Sequence, residues 1–85
     1  MKPHPQDVVS LRALGRAIRT IRNDKSLSQS ELARRTGLHP TYISRLETGA
    51  HNPTYVVILQ LSKGLEISAA EMLRVSERIE DDHQG

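Results

Sequence analysis

The chain has 85 residues, which is room for one domain with short tails, because domains usually take roughly 100 to 200 residues. It contains no cysteine, so an aliphatic core rather than disulfides must stabilise it. Tyr42 and Tyr55 are its only aromatic residues, too few for the base stacking by which proteins usually bind RNA or single-stranded DNA. With no long apolar run and no signal-type N-terminus, the sequence is typical of a cytoplasmic protein.

The charge is unevenly distributed along the chain, although the formal net charge is only +2. Residues 8–53 contain eight Lys and Arg against three Asp and Glu, a net +5, whereas residues 54–85 contain three against six, a net −3. The first part therefore suits a polyanion, and the second would be repelled by one.

The first predicted helix runs from about Val9 to Asp24. Its apolar stripe recurs every three or four residues and consists of Leu11, Leu14, Ile18 and Ile21. Arg12, Arg16 and Arg19 fall on the opposite face, where they are either solvated or in contact with phosphates.

Two short helices follow. Ser28 and Glu31 have the spacing of a capping box, which predicts a helix that starts at Ser28 and ends at Gly37, where glycine can take a left-handed conformation. A third helix has Pro40 at its first position, is capped by His39 or its neighbour, and ends before Gly49.

Two more helices complete the prediction. Residues 52–54 open a fourth helix that is apolar nearly all round and is therefore expected to be the central buried one. A second capping-box spacing at residues 68–71 starts a fifth helix that continues through about Ile79. The predicted domain is 8–79, with residues 1–7 as a flexible arm and residues 80–85 as a flexible polar tail.

Residues 29–48 have the plan of a helix-turn-helix, in which two short helices are joined by a tight glycine turn. Ala33 is the small residue needed where the helices cross, Gly37 supplies the turn, and Ile43 and Leu46 attach the second helix to the core. The predicted fold class is all-α, with five helices.

The segments 27–33 (LSQSELA) and 41–49 (TYISRLETG) resemble the Cro and phage-repressor (XRE) helix-turn-helix family, and the similarity spans about residues 11–75. Within that family the chain is similar to compact single-domain regulators, including controller proteins of restriction-modification systems. The resemblance implies a lambda-repressor-like domain that regulates transcription as a homodimer on a palindromic operator of double-stranded DNA.

The resemblance also implies which residues read bases, namely those at the start and outer face of the second helix of the motif. Here they are His39, Pro40, Thr41, Ser44 and Arg45. Arg45 is the strongest candidate, because a guanidinium can bond guanine O6 and N7 together; its alternatives are a phosphate contact or solvation. Pro40 can offer only apolar contact to a thymine methyl, and His39 either reads a base or only caps the helix.

Phosphate contacts are implied for a second group of residues. They are Gln29, Arg19, Tyr42, Thr48, His51 and Asn52. Gln29 matches the family position at the amino end of the first motif helix, where the helix dipole favours a phosphate, but it is otherwise an ordinary first-turn residue. Tyr42 either packs against a neighbouring helix or donates to a phosphate, and the last three lie in what is otherwise a simple surface loop.

Arg22 and Glu47 match a pair that forms a buried ion pair in many family members, so their predicted role is structural. A homodimer interface is predicted on the fourth and fifth helices, in the acidic half, with Met72, Val75 and Ile79 as contact residues.

The four histidines are scattered and no pattern of catalytic or metal-ligating residues is present, so neither an enzyme, a metal site nor a cofactor is predicted. The competing interpretation is a protein-interaction module, such as an antitoxin or a regulator subunit that uses the same fold to hold a partner.

Overall fold

Five α-helices form the framework of the residues that the computed structural model describes, 4–84. They are α1 (Pro5–Asp24), α2 (Gln29–Thr36), α3 (Pro40–Glu47), α4 (Tyr55–Gly64) and α5 (Ala69–Gln84). No strand occurs in this range, so the predicted all-α class with five helices is confirmed. None of these helices is long and apolar enough to span a bilayer.

The start of α2 is fixed by the predicted capping box. The Ser28 hydroxyl accepts a hydrogen bond from the Glu31 amide at 3.0 Å, and the Glu31 carboxylate accepts one from the Ser28 amide at 3.0 Å. At the other end Gly37 adopts a left-handed conformation with φ of 76°. Local sequence therefore determines both ends of this helix.

The N-terminal helix begins at Pro5 rather than at about Val9. His4 caps it, because its Nδ1 accepts from the Gln6 amide at 3.1 Å while the Asp7 carboxylate accepts from the His4 amide at 3.3 Å. Histidine is not among the residues commonly expected at a helix start, and the periodic apolar pattern begins only later.

The C-terminal helix continues through Gln84, beyond the predicted end at about Ile79. The Gln6 side chain donates to the Glu80 carboxylate at 2.6 Å, which joins the two terminal extensions. Residues 5–7 and 80–84 are thus helical and His4 caps the first helix, while residues 1–3 and 85 of the predicted arm and tail lie outside the described residues.

The core draws on all five helices. α1 packs against α3 and α5, and α2 packs against α3 and α4. The largest side chains with almost no exposed surface are Ile18, Leu32, Ile43, Leu46, Leu61, Leu65 and Met72.

The fourth helix is not the central buried helix that its apolar sequence predicted. Leu61 is its only fully buried large side chain, while Tyr55 is 73% exposed and Val56 is 62% exposed. α4 packs mainly against α2, and the two apolar side chains that a single copy leaves uncovered, Tyr55 and Val56, lie in its first turn. The central position belongs to α1, where Ala17 and Ile18 have no exposed surface.

Candidate nucleic-acid interface

α2, the glycine turn and α3 form the helix-turn-helix. The Gly37 amide donates to the Ala33 carbonyl at 2.8 Å, and the Leu38 amide donates to the Thr36 hydroxyl at 3.2 Å, so the turn is internally bonded. Ala33 is buried where the two helices meet. These contacts hold the angle between the helices and so determine which face of α3 points outward.

α3 has one buried and one accessible side. Its buried residues are Ile43, Leu46 and Glu47. The accessible side carries all five predicted base-reading residues, of which four are exposed and Ser44 is half-buried: His39, Pro40, Thr41, Ser44 and Arg45.

Arg45 extends from this side without a carboxylate partner. The ion pairs of the described residues involve Arg22, Arg35 and Arg74, and none involves Arg45. An exposed guanidinium that forms no ion pair has its N–H donors available for a ligand.

His39 is the N-cap of α3. Its Nδ1 accepts a hydrogen bond from the Thr41 amide at 3.1 Å. The capping role considered from the sequence is therefore confirmed, and it occupies only one of the two ring nitrogens.

Arg22 and Glu47 form the predicted ion pair beneath the motif. Nε and Nη2 of Arg22 donate to the two carboxylate oxygens of Glu47 at 2.7 and 2.9 Å, and Nη1 donates to the Leu27 carbonyl at 2.8 Å. Both side chains are at least nine-tenths buried. The hydrogen bonds that Arg22 donates to Glu47 raise the pKa of Arg22 against the opposing effect of burial, so the charged guanidinium joins α1 to α3.

Gln29 uses its side chain within the protein. Its Nε2 donates to the Glu47 carboxylate at 2.9 Å, which adds a third donor to the buried pair. The amides of Gln29 and Ser30, in the first turn of α2, have no acceptor within the helix. The first-turn amides of α2, and not the Gln29 side chain, are therefore left open to a ligand.

Tyr42 stacks on His51, a contact that sequence reasoning did not find. Their ring centroids are 5.3 Å apart and the ring planes differ by 24°. The stack joins α3 to the loop after it, in which Thr48 and Asn52 are exposed and Pro53 is buried. Tyr42 is half-buried and also packs against the hydrophobic core that the helices form, so it packs both within the helical bundle and against the loop.

One exposed arginine of α1, Arg12, lies against that loop. A Cβ on Gly49 would be 2.9 Å from Cγ of Arg12, so the Arg12 side chain covers the start of the loop. Arg12, Arg16 and Arg19 are exposed and form no ion pair with another described residue. Sequence reasoning selected Arg19 and not Arg12, because only the fold shows that Arg12 adjoins the loop.

The predicted dimer contacts on α5 need correction. Met72 has no exposed surface and belongs to the core of a single copy, so it cannot form an interface. Val75 packs against the same core, and Ile79 lines a groove of about 220 Å³ between α1 and α5. These residues face α1 or the core because α5 packs along α1. The exposed large apolar side chains of the described residues are Tyr55, Val56 and Leu73.

No group of three or more His, Cys, Asp or Glu side chains that could hold a metal comes together within the described part of the chain.

Comparison with known sequences defines the class of protein. The family described as a helix-turn-helix domain matches residues 13–75, which is well over half of the chain. The protein therefore belongs to the helix-turn-helix family.

Three similar proteins place it more narrowly. The uncharacterized HTH-type transcriptional regulator y4dJ of Sinorhizobium fredii is 36% identical over 53 residues, which cover 62% of this chain and 69% of the relative. The control protein C.SmaI of Serratia marcescens is 38% identical over 60 residues, 71% of each chain. The tetramer of the restriction-modification controller protein C.Esp1396I in complex with its natural 35 base-pair operator is 30% identical, with a TM-score of 0.78 over 84% of this chain and 93% of that one. The protein is a transcriptional regulator of the helix-turn-helix class, similar to restriction-modification controllers.

Proposed function

We propose that the protein binds a palindromic double-stranded DNA operator as a homodimer, with α3 in the major groove, and thereby regulates transcription. The observation that carries the proposal is the accessible side of α3, which has polar side chains and an Arg45 that forms no ion pair with the described residues. The opposite side of α3 is buried in the protein. The similar controller C.Esp1396I forms a complex with its operator, which supports the same role here. Since the relatives are bacterial, we place the protein in the cytoplasm.

Base reading is assigned to the accessible side of α3. Arg45 can donate two parallel hydrogen bonds to O6 and N7 of guanine, which discriminates against other bases by about 1 to 3 kcal/mol. Thr41 and Ser44 carry hydroxyls on the same side, and these can donate or accept.

Phosphate contacts are assigned to groups around the rim of α3. The free amides at the start of α2 would bind one phosphate, assisted by the helix dipole. Arg12 and Arg19 of α1 and Thr48 and Asn52 of the loop after α3 are all exposed, and Arg12 covers the start of that loop. These side chains would follow the backbone of the duplex. Such contacts hold the protein in register and carry no sequence information.

Dimerisation is assigned to the exposed apolar side of α4. Tyr55 and Val56 are the most exposed large apolar side chains among the described residues, and burying them against a second copy is favourable. They lie in the acidic half, which DNA repels. In a dimer joined there, the two α3 helices could enter successive major grooves on one face of a duplex. This requires that the two helices lie about 34 to 36 Å apart, which is one turn of DNA.

The test is a selection of bound sequences from a random duplex pool at fixed salt. The native protein is expected to enrich a two-fold motif, and Arg45→Ala is expected to lose the guanine preference at one position in each half-site. Arg78→Ala removes an exposed arginine from α5 and should leave the motif unchanged. A pool with no enrichment by the native protein would contradict the proposal and favour a protein-interaction module instead.

A further inference from the structure

The groove between α1 and α5 combines apolar walls with two arginines. Its volume is about 220 Å³, and it is lined by Val9, Arg12, Ala13, Arg16 and Ile79. The four α1 residues follow the helical repeat, so they share one face of that helix. Ala13 is only 3% exposed, and its single methyl group leaves space that a larger side chain would fill.

Both arginines of the groove have their charge available for a ligand. Arg12 and Arg16 are exposed, and neither forms an ion pair with another described residue. The Glu80 carboxylate, which follows Ile79 in α5, accepts a hydrogen bond from the Gln6 side chain instead. Guanidinium groups bind carboxylates through charge-assisted and often paired hydrogen bonds. Charge complementarity therefore selects an anion, and the apolar walls select an anion with a hydrocarbon part.

The volume of the groove limits the size of that anion. An apolar cavity of about 150 Å³ holds a benzene molecule, and drug-sized ligands need roughly 300 Å³ or more. The groove lies between these two limits. Scaling from the six carbons of benzene gives a ligand of about nine non-hydrogen atoms.

We propose that this groove binds a small monocarboxylate with a hydrocarbon chain. Arg12 and Arg16 donate hydrogen bonds to its carboxylate, and the chain packs against Val9, Ala13 and Ile79. Nothing in the sequence predicts a small-molecule ligand, because the groove forms only where α5 packs along α1.

Occupation of the groove is expected to weaken DNA binding. A Cβ on Gly49 would be 2.9 Å from Cγ of Arg12, so the side chain that lines the groove also covers the start of the loop after α3. A carboxylate bonded to Arg12 neutralises a charge that would otherwise meet a phosphate. Ligand and duplex then weaken each other's binding by the same factor. This effect rests on the proposed function, whereas the binding of the carboxylate does not.

An NMR titration of the native protein with sodium octanoate at constant ionic strength tests the site. We expect a dissociation constant on the order of a millimolar, with amide shifts centred on Val9, Ala13 and Ile79. Arg16→Gln, at an exposed position, should weaken octanoate binding about five-fold, the value of a good exposed ion pair. Arg78→Gln removes an exposed arginine of α5 that does not line the groove, and it should leave octanoate binding unchanged.

Three results of this titration would overturn the proposal. The first is an absence of shifts at the groove, and the second is unchanged octanoate binding by Arg16→Gln. The third is an equal response to acetate, which has the charge without the chain. Circular dichroism of both variants verifies that the helices are retained.

Fluorescence anisotropy with the duplex enriched in the selection tests the effect on DNA. Octanoate at about ten times its dissociation constant should weaken DNA binding by about five-fold, because one exposed charge contact is lost, while acetate at the same concentration should not. Octanoate that fills the groove without changing the DNA affinity would overturn the coupling. If the native protein enriches no DNA sequence, the proposed function is wrong, and the octanoate titration still decides whether the groove binds a carboxylate.

Discussion

Gly15 of α1 lies directly against the backbone of Glu47 at the C-terminal end of α3. A Cβ on Gly15 would be 2.6 Å from the Glu47 carbonyl oxygen and closer still to that of Leu46. Further along α1, Arg22 meets the side chain of the same Glu47. α1 thus holds the C-terminal end of α3 through both its backbone and the Glu47 side chain.

Replacing Gly15 with alanine is expected to destabilise the protein, although alanine is the better helix former. The added methyl group would collide with two backbone carbonyls that cannot rotate away, and overpacking of this kind costs about 1 to 3 kcal/mol. Urea unfolding measures the change. Thr20→Ala, at an exposed position of the same helix, should alter stability by less than about 0.5 kcal/mol, and equal stability of the two variants would contradict the close approach.

Removing one partner of the buried ion pair should be far more damaging than removing both. Arg22→Met leaves the Glu47 charge buried with only the Gln29 amide as donor, and a loss of about 3 to 5 kcal/mol is expected. The double variant Arg22→Met/Glu47→Leu should recover much of that loss, because no charge is then left buried. As a control, Arg35→Ala breaks the ion pair between Arg35 and Glu66, whose side chains are 42% and 73% exposed. Because water screens such a pair, its loss should cost no more than about 1 kcal/mol. If the double variant instead loses as much free energy of unfolding as the two single variants combined, Arg22 and Glu47 contribute independently and not as a pair.

The capping box of α2 predicts a pH dependence of stability. Hydrogen bonding to Ser28 lowers the pKa of Glu31, so the carboxylate stabilises the fold at neutral pH. This contribution to stability is complete above a pH of about 4.3, the ordinary pKa of glutamate in the unfolded chain. It is lost as the pH falls from there through the lower pKa that Glu31 has in the folded protein. Glu31→Gln keeps a capping-box side chain without the charge, so its free energy of unfolding should fall less steeply with acid. Glu77→Gln, at an exposed position of α5, should retain the native steepness.

Much of the motif could be predicted from sequence because its determinants are local. Ser28 and Glu31 form their capping box within one turn, and Gly37 takes the left-handed conformation that only glycine adopts readily. The pairing of Arg22 with Glu47 was predicted from family resemblance, since no local rule joins residues on separate helices.

The wrong predictions concern residues whose burial depends on which surface packs against them. An apolar pattern shows that Val56 and Met72 avoid water, but not whether the same copy or a second one covers them; Met72 is in the core and Val56 is outside it. The partner of Gln29 and the stack of Tyr42 on His51 depend on the helix crossing, which periodicity does not specify.

The arginines of α1 should contribute to the salt dependence of DNA binding. Removing one phosphate contact reduces the slope of log K against log salt by about 0.9, so Arg12→Ala and Arg19→Ala should each lower it by about that amount on operator and random DNA alike. Fluorescence anisotropy titrations over a series of salt concentrations give the slopes. Arg78→Ala is the matched control on α5, and an unchanged slope for Arg12→Ala would show that this arginine is simply solvated.

A charge on the apolar side of α4 should separate the two copies without unfolding either. Val56→Lys places an ammonium group at a site that is 62% exposed in one copy, where the fold tolerates it, but within the proposed interface, where burial of an unpaired charge is costly. Sedimentation equilibrium should show dimers for the native chain and monomers for the variant, with unchanged circular dichroism. Thr20→Lys adds the same charge to an exposed face of α1 and should remain dimeric; a dimeric Val56→Lys would place the interface elsewhere.

Tyr55 and Val56 are exposed in one copy, so a dimer that buries them forms only at a sufficient concentration of the protein. When the copies are mostly separate, the amount of dimer rises with the square of the chain concentration, so a twofold increase in expression gives about a fourfold increase in the binding-competent form. A promoter controlled by such a form responds over a narrow interval of gene dosage. The strength with which the α4 surface binds its own copy would then set the expression level at which that promoter responds.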